Sequence, residues 1–510
     1  MKQCRHCNTI NKDDYIYCVK CGRRLDGEDR KFDLKGILQN RKLLAVAAAC
    51  LVLAAALAIF LSGRGDKVDA GWVQMVEKDG FCHLYRNGSE VASFDYEETE
   101  RMSRNFDNST AAVLYLQDGR RHLSVLRGNK LGTIDEDIYD FSISDDGKRI
   151  MYLVYGEPSI YEYDLKSGKK TVAAGNEGAE GYPARAYSYS GKNIAYFFYS
   201  EEGGTIRLAS GGRQNDLKNE EQPIGIVGVT EKGEVYYIDD SGSLRVCDKN
   251  SDTMICGEPG TVYANRDWTQ IAVVGYESTV LYKNGKADAF PYDEYGEMLA
   301  PLLPDGVERT PIYSSERGEM PHTILHLDID SLDDRCYFSA NGTLYKIKGS
   351  QAEAVCEECA GAIVAKDDRT VYYFDPEGTI YRYASGKSET FAKEDVYRLV
   401  TADDSGNLYY KNNSYRLCRS DGEASEEIGH YSAYVAVCAD DGWLYFKDGK
   451  DLYVWKTGEE AKMIGTTNWS DTSHSIYYED EFYAPSGIGF VDKDDNSYFA
   501  WNGEAVPLEP

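Results

Sequence analysis

Four cysteines near the N-terminus, Cys4, Cys7, Cys18 and Cys21, are spaced C-x2-C-x10-C-x2-C. Each pair can present two thiolates to one tetrahedral ion, and the spacer is long enough to fold back as a hairpin. Four thiol ligands leave no open coordination position, so the expected group is a structural Zn2+ and not a catalytic one. A segment of about 25 residues buries too little to fold by itself, and the metal must supply its folding free energy. His6, inside the first pair, is read as an exposed residue.

Other residues capable of chemistry are scattered. Cys247 and Cys256 flank "DKNSDTMI", and with Ser251 and Asp252 as the turn they are expected opposite each other on paired strands, where a cross-strand disulfide is demanding but conceivable. Cys356 and Cys359 form "CEEC", a spacing used by redox pairs, but no βαβ pattern surrounds it and packing is the plainer reading. "DIDSLDD" (328–334) and "DKDDNS" (492–497) alternate carboxylates as calcium loops do, yet lack that motif's Gly and closing Glu, and are expected to be acidic turns. There is no G-x-S-x-G and no H-E-x-x-H, and the chain has only 7 His. No catalytic residue is assigned. Paired carboxylates at a channel mouth, acting on envelope glycans, are the enzymatic alternative that 85 acidic residues leave open.

The elements that carry these residues follow from composition. Residues 43–61 contain no charge and as a helix reach about 28 Å, the thickness of a bilayer core. Forty-two residues precede this run, too many for a signal peptide, so 43–62 is expected to be an uncleaved transmembrane helix. Residues 1–42 hold 11 Lys and Arg against 6 Asp and Glu, leaving 45 against 79 for the remainder. The basic linker 26–42 places the N-terminus in the cytoplasm and the C-terminal domain outside the cell membrane, in a single-pass topology. The acidic exterior argues against nucleic acid as that domain's ligand.

Beyond the helix a turn-and-strand unit recurs every 35 to 45 residues, from "FSISDDGKRIMYLV" at Phe141 to "KDDRTVYYFDPEGTIYRY" at Lys366 and "ADDGWLYFKDGKDLYVW" at Ala439. Asp-Gly turns, alternating aromatics and 41 Tyr favour half-buried strands. Such sheets stack about an axis, which predicts a mainly β chain with a β-propeller. At about 40 residues per unit, 440 residues give about eleven units, as one large propeller or two consecutive ones. The repeat lapses over 291–327, which is rich in proline and is read as a linker or insertion between blades at 70–290 and 328–510.

The knuckles and "CVKCGRRL" resemble the short zinc ribbon (residues 1–25) at the N-terminus of many bacterial membrane proteins. The blades resemble those of TolB-like and WD40-like propellers, and the whole looks like ribbon-bearing membrane proteins of Gram-positive bacteria with propeller ectodomains. The resemblance implies a sensor, scaffold or binding protein whose propeller takes a protein, peptide or cell-envelope polymer, and whose ribbon docks a cytoplasmic protein. A membrane-tethered regulator with a nucleic-acid-binding ribbon is the further alternative, since Arg5, Lys20, Arg23 and Arg24 surround the cysteines.

Overall fold

The computed structural model describes residues 2–3, 9–11, 20, 73–78, 80–175, 182–198, 204–295, 298–303, 309–311, 323–327, 329–332, 337–365, 369–403, 405–431, 436–438, 442–467, 482–484, 487–492, 494 and 496–508. The chain forms two units, Met1–Lys67 and Val68–Pro510. In the first, Lys2–Gln3 pairs antiparallel with Ile10–Asn11. Cys4, Cys7, Cys18 and Cys21 and the apolar run 43–62 lie outside the described residues. Among the described residues no helix is long and apolar enough to cross a membrane.

The described residues of the second unit form eleven successive sheets, antiparallel except for one strand pair in sheet 6. Sheets 1 to 5 span residues 73–95, 98–136, 138–175, 184–216 and 223–256. Sheet 6 is 259–291 with 309–311 and 323–327, and sheet 7 is 300–302 with 337–356. Sheets 8 to 11 span 361–393, 396–430, 436–466 and 482–507. Nine have four strands in sequence order, sheet 1 has three and sheet 6 has six. Helix among the described residues of this unit is confined to one turn, Tyr292–Tyr295.

Local chemistry explains the repeat. In the expected turn at 144–147, the Ser144 hydroxyl accepts from the Lys148 and Arg149 amides, and Gly147 takes a φ of 64° that a Cβ disfavours. The second strand that follows is the buried one: Tyr152, Tyr196, Tyr237, Tyr372 and Tyr410 stand in the second strands of sheets 3, 4, 5, 8 and 9 and are all almost fully enclosed. Fourth strands are far more exposed, as in Lys387–Lys393, whose first four residues are all open to solvent, because they form the outer rim.

Eleven apolar clusters join the sheets pairwise. Ten link each sheet to the next, and the last packs Tyr85 of sheet 1 on Phe499 and Leu508 of sheet 11. The sheets therefore close in one cyclic order. Unlike a blade completed by strands from both chain ends, sheets 1 and 11 each draw on one end only, and among the described residues no strand pairing joins them.

The proline-rich stretch is woven into this ring. Ala300–Leu302 starts sheet 7, while Thr323–Leu327 runs parallel to the first strand of sheet 6, Pro259–Ala264, in the register Thr261↔Thr323 to Ala264↔His326. That added strand lies on the axial side of sheet 6 and carries His326 towards sheets 2 and 3.

Candidate functional site

First strands of the sheets lie nearest the axis, so their side chains and adjoining turns decide what the channel holds. Sheets 2 to 6 enclose a cavity of about 800 Å³. At one end it is lined by Glu100, Arg121, Tyr139 and Tyr155, in the middle by Arg101, Asp140, Arg185 and Tyr187, and at the other end by Phe106, Trp268 and His326.

The middle group is an ion cluster assembled from three sheets. Asp140 bridges Arg185 of sheet 4 and Arg101 of sheet 2, the latter at 2.8 Å. Arg185 is nearly fully buried, and its Nε donates to the Tyr187 hydroxyl at 2.7 Å. The Arg101 guanidinium lies 4.3 Å from the centre of the Phe141 ring and donates to the Phe141 carbonyl. Burial alone raises the Asp140 pKa, but the two guanidinium charges outweigh it, and the carboxyl is held below its ordinary range. Burial pushes the Tyr187 hydroxyl up. A general acid needs a carboxyl shifted the other way.

At the tyrosine end, Arg121 pairs with Glu100 and donates to the Tyr155 hydroxyl, its guanidinium 5.1 Å from that ring. Tyr139 meets Tyr155 edge-on at 5.3 Å and stacks on Tyr182 at 3.6 Å.

The opposite end is closed by aromatic rings. The fourth position of the turn after the first strand has positive φ in sheets 2 to 6, and it is Asn108, Gly147, Gly191, Gly233 and Trp268. Trp268, at φ 61°, is the bulky exception among these left-handed positions. Its indole lies where a Cβ on Gly228 would fall, 2.2 Å away, and 5.1 Å from the His326 ring. His326 also packs on Phe106 at 4.9 Å, bonds the Arg266 carbonyl at 2.8 Å and lies 3.8 Å from Asp145. Burial lowers its pKa from 6.5 to about 4, so the ring is neutral at pH 7.

Several residues singled out in the sequence are placed elsewhere. Cys247 and Cys256 are not cross-strand partners: Cys247 pairs with Asp252 and Cys256 with Leu244, because the turn falls at 248–251, earlier than expected. Both are free thiols, as are Cys356 and Cys359. Burial raises the Cys356 thiol and pushes Cys359 up to about 12, the reverse of what a redox thiolate requires. Asp492 accepts from the amides of Asp494 at 2.8 Å and Asn496 at 2.9 Å, as an acidic turn does. Among the described residues, no group of three or more His, Cys, Asp or Glu could hold a metal ion. The Arg101–Asp140–Arg185 cluster was missed in the sequence, since its members are about 40 residues apart. The Trp at a Gly/Asn turn position is a signal that could have found the site.

No family model and no curated protein matches the chain. Among solved structures, the chain is similar to the extracellular domain of BT4673 from B. thetaiotaomicron, at 9% identity over 85% of this chain and 71% of that one, TM-score 0.27. PorZ, a surface component of the type-IX secretion system of Porphyromonas gingivalis, gives 9% identity, the same coverages and TM-score 0.27. Protein lmo1340 from Listeria monocytogenes EGD-e gives 12% identity over 65% of this chain and 94% of that one, TM-score 0.32. At these values the similarity concerns the repeated blades and nothing finer.

Proposed function

We propose that the chain is a membrane-anchored binding or scaffold protein. Its propeller takes a protein, peptide or envelope polymer outside the cell, and its zinc ribbon docks a partner in the cytoplasm. The observation that carries this reading is the cavity of sheets 2 to 6, where arginines and aromatic rings line the walls. The half-buried acid Asp140 is held in its ionised form between two guanidinium groups. Such walls recognise a ligand by stacking and directed hydrogen bonds, and Asp140, held ionised, offers no proton for bond cleavage.

The anchor rests on the uncharged run at 43–61, and its direction on the basic residues before it. The four-thiol set Cys4, Cys7, Cys18 and Cys21 fits a structural Zn2+, which would fold the ribbon and leave its surface for contact.

The test is to incubate the full-length chain, purified in mild detergent, with envelope polymer and membrane extract. Polymer retained on the chain with no soluble fragments released supports a binding protein. Fragments that accumulate with time, and cease to do so in Glu100→Gln, would make it an enzyme instead.

A further inference from the structure

Within that reading of the propeller as a binding module, we infer that it carries a second ligand site in sheet 9, built like the tyrosine end of the cavity, and that both sites take a neutral glycan chain. Tyr139 is the second residue of its first strand, Ile138–Ile143, and Tyr155 directly follows the second strand, Arg149–Val154. In sheet 9, Tyr397 is the second residue of the first strand, Val396–Ala402, and Tyr415 lies in the turn after the second, Leu408–Asn412. The start of a first strand and the connection between second and third strands fall on the same face of every sheet in an antiparallel ring. The two pairs therefore look out from one face.

Both combine two tyrosine rings with one cation, although Tyr139 and Tyr155 meet edge-on while the rings in sheet 9 are tilted. Tyr397 and Tyr415 lie 5.8 Å apart with rings inclined at 37°, and a cation lies against them: the Lys411 ammonium, 4.5 Å from the Tyr415 ring and 5.7 Å from Tyr397. Tyr431 closes the far side of Lys411 at 5.5 Å. For the pair in sheet 3 the corresponding cation is Arg121, which comes from the third strand of the neighbouring sheet 2. Tyr155, Tyr397 and Tyr415 are about half exposed, at 48%, 48% and 51%, whereas the second-strand tyrosines Tyr152, Tyr196, Tyr237, Tyr372 and Tyr410 are enclosed.

The ligand chemistry follows from what is open to solvent. Lys411 is only 2% exposed and Arg121 is paired with Glu100, so neither offers a free charge to a ligand. What remains is tyrosine ring faces and hydroxyl rims, on a chain whose residues from 63 onward carry 45 basic against 79 acidic groups. That field repels polyanions. A pyranose presents an apolar C–H face for stacking and hydroxyls for the rim, without charge. Two such sites on one rigid face suit a polymer that repeats, since the second contact becomes intramolecular.

The experiment titrates the full-length chain with a panel of neutral oligosaccharides of six sugars, hexoses and N-acetylhexosamines, by calorimetry. A bound member is expected at two per chain, falling to one in Tyr155→Ala and in Tyr415→Ala, and to none in the double variant. Retention of the long polymer should fall at least tenfold in either single variant. Binding of no panel member, a stoichiometry of one, or no response to Tyr415→Ala overturns the inference. If polymer is retained but responds only to Arg101→Ala in the cavity, the second site fails while the binding function stands. If the chain retains nothing at all, both fail. Melting temperatures unchanged in the single variants exclude misfolding as the cause.

Discussion

The Trp268 indole occupies the space that a side chain at residue 228 would need, and Gly228 stands there in the inner strand of the neighbouring sheet. A tryptophan with φ 61° is held where its repeats use Gly or Asn. Trp268→Gly should relieve about 1 kcal/mol of backbone strain but open a cavity worth about 3–5 kcal/mol, for a net loss of roughly 2–4 kcal/mol. Gly228→Ala should destabilise through overpacking, about 1–3 kcal/mol or more. Chemical denaturation of both variants checks the pair, and a stabilised Trp268→Gly would mean that the indole is not packed as described.

The buried ion cluster gives a separate expectation. Arg185→Met strips Asp140 of its buried partner and should cost about 3–5 kcal/mol, whereas Arg101→Ala, on the open side, should cost under 1 kcal/mol. Because the Asp140 pKa is lowered by folding, its contribution is present above the unfolded value near 4 and is lost as pH falls through the folded value. Melting curves below pH 4 should therefore decline more steeply for the wild type than for Asp140→Asn.

His326 acts in a different window. Its folded pKa of about 4 lies below the ordinary 6.5, so between these values the unfolded chain binds a proton that the folded ring refuses. Stability is full above about pH 6.5 and falls by roughly 3 kcal/mol as pH drops to 4. His326→Gln keeps a donor for the Arg266 carbonyl and should lose this decline. An unchanged profile in the variant would assign the pH dependence to other groups.

Among the described residues the closure between sheets 1 and 11 is the smallest apolar seam. Three buried residues form it there, against fourteen between sheets 5 and 6, and each fully buried large apolar side chain contributes about 1.5–3 kcal/mol. The Tyr85 hydroxyl and Gln74 Oε1 are buried there without a hydrogen bond. Tyr85→Phe should be neutral or stabilising, while Tyr237→Phe, whose hydroxyl donates to Asp252 at 2.6 Å, should cost about 1–3 kcal/mol. Hydrogen exchange should open 73–95 and 482–507 before the other sheets, and uniform exchange would contradict the weak seam.

How far the sequence could be read depended on whether the signal was local. The turn at Asp145, Asp146 and Gly147 and the strand after it were legible because Gly supplies the left-handed φ and the β-branched and aromatic run after it marks a strand, which is buried on both faces where a half-buried one was expected. Their spacing gave about eleven units, as observed. The Cys247 turn was misplaced because Asp248, and not Ser251, organises it: its carboxylate accepts from the Asn250 and Ser251 amides, both at 2.7 Å. The cavity was not legible, since Arg101, Asp140 and Arg185 meet only when three sheets stand side by side. His326 reaches it through a parallel strand that nothing in the flanking prolines announces.

The central claim is that the cavity of sheets 2 to 6 recognises a ligand without cleaving it. Its most direct test compares the full-length wild type with Arg101→Ala for retention of envelope polymer, following soluble fragments over the same time. Retention by the wild type, at least a tenfold loss in the variant at an unchanged melting temperature, and no fragments in either is the expected result. Equal retention by the two proteins, or fragments that accumulate with the wild type, would contradict it.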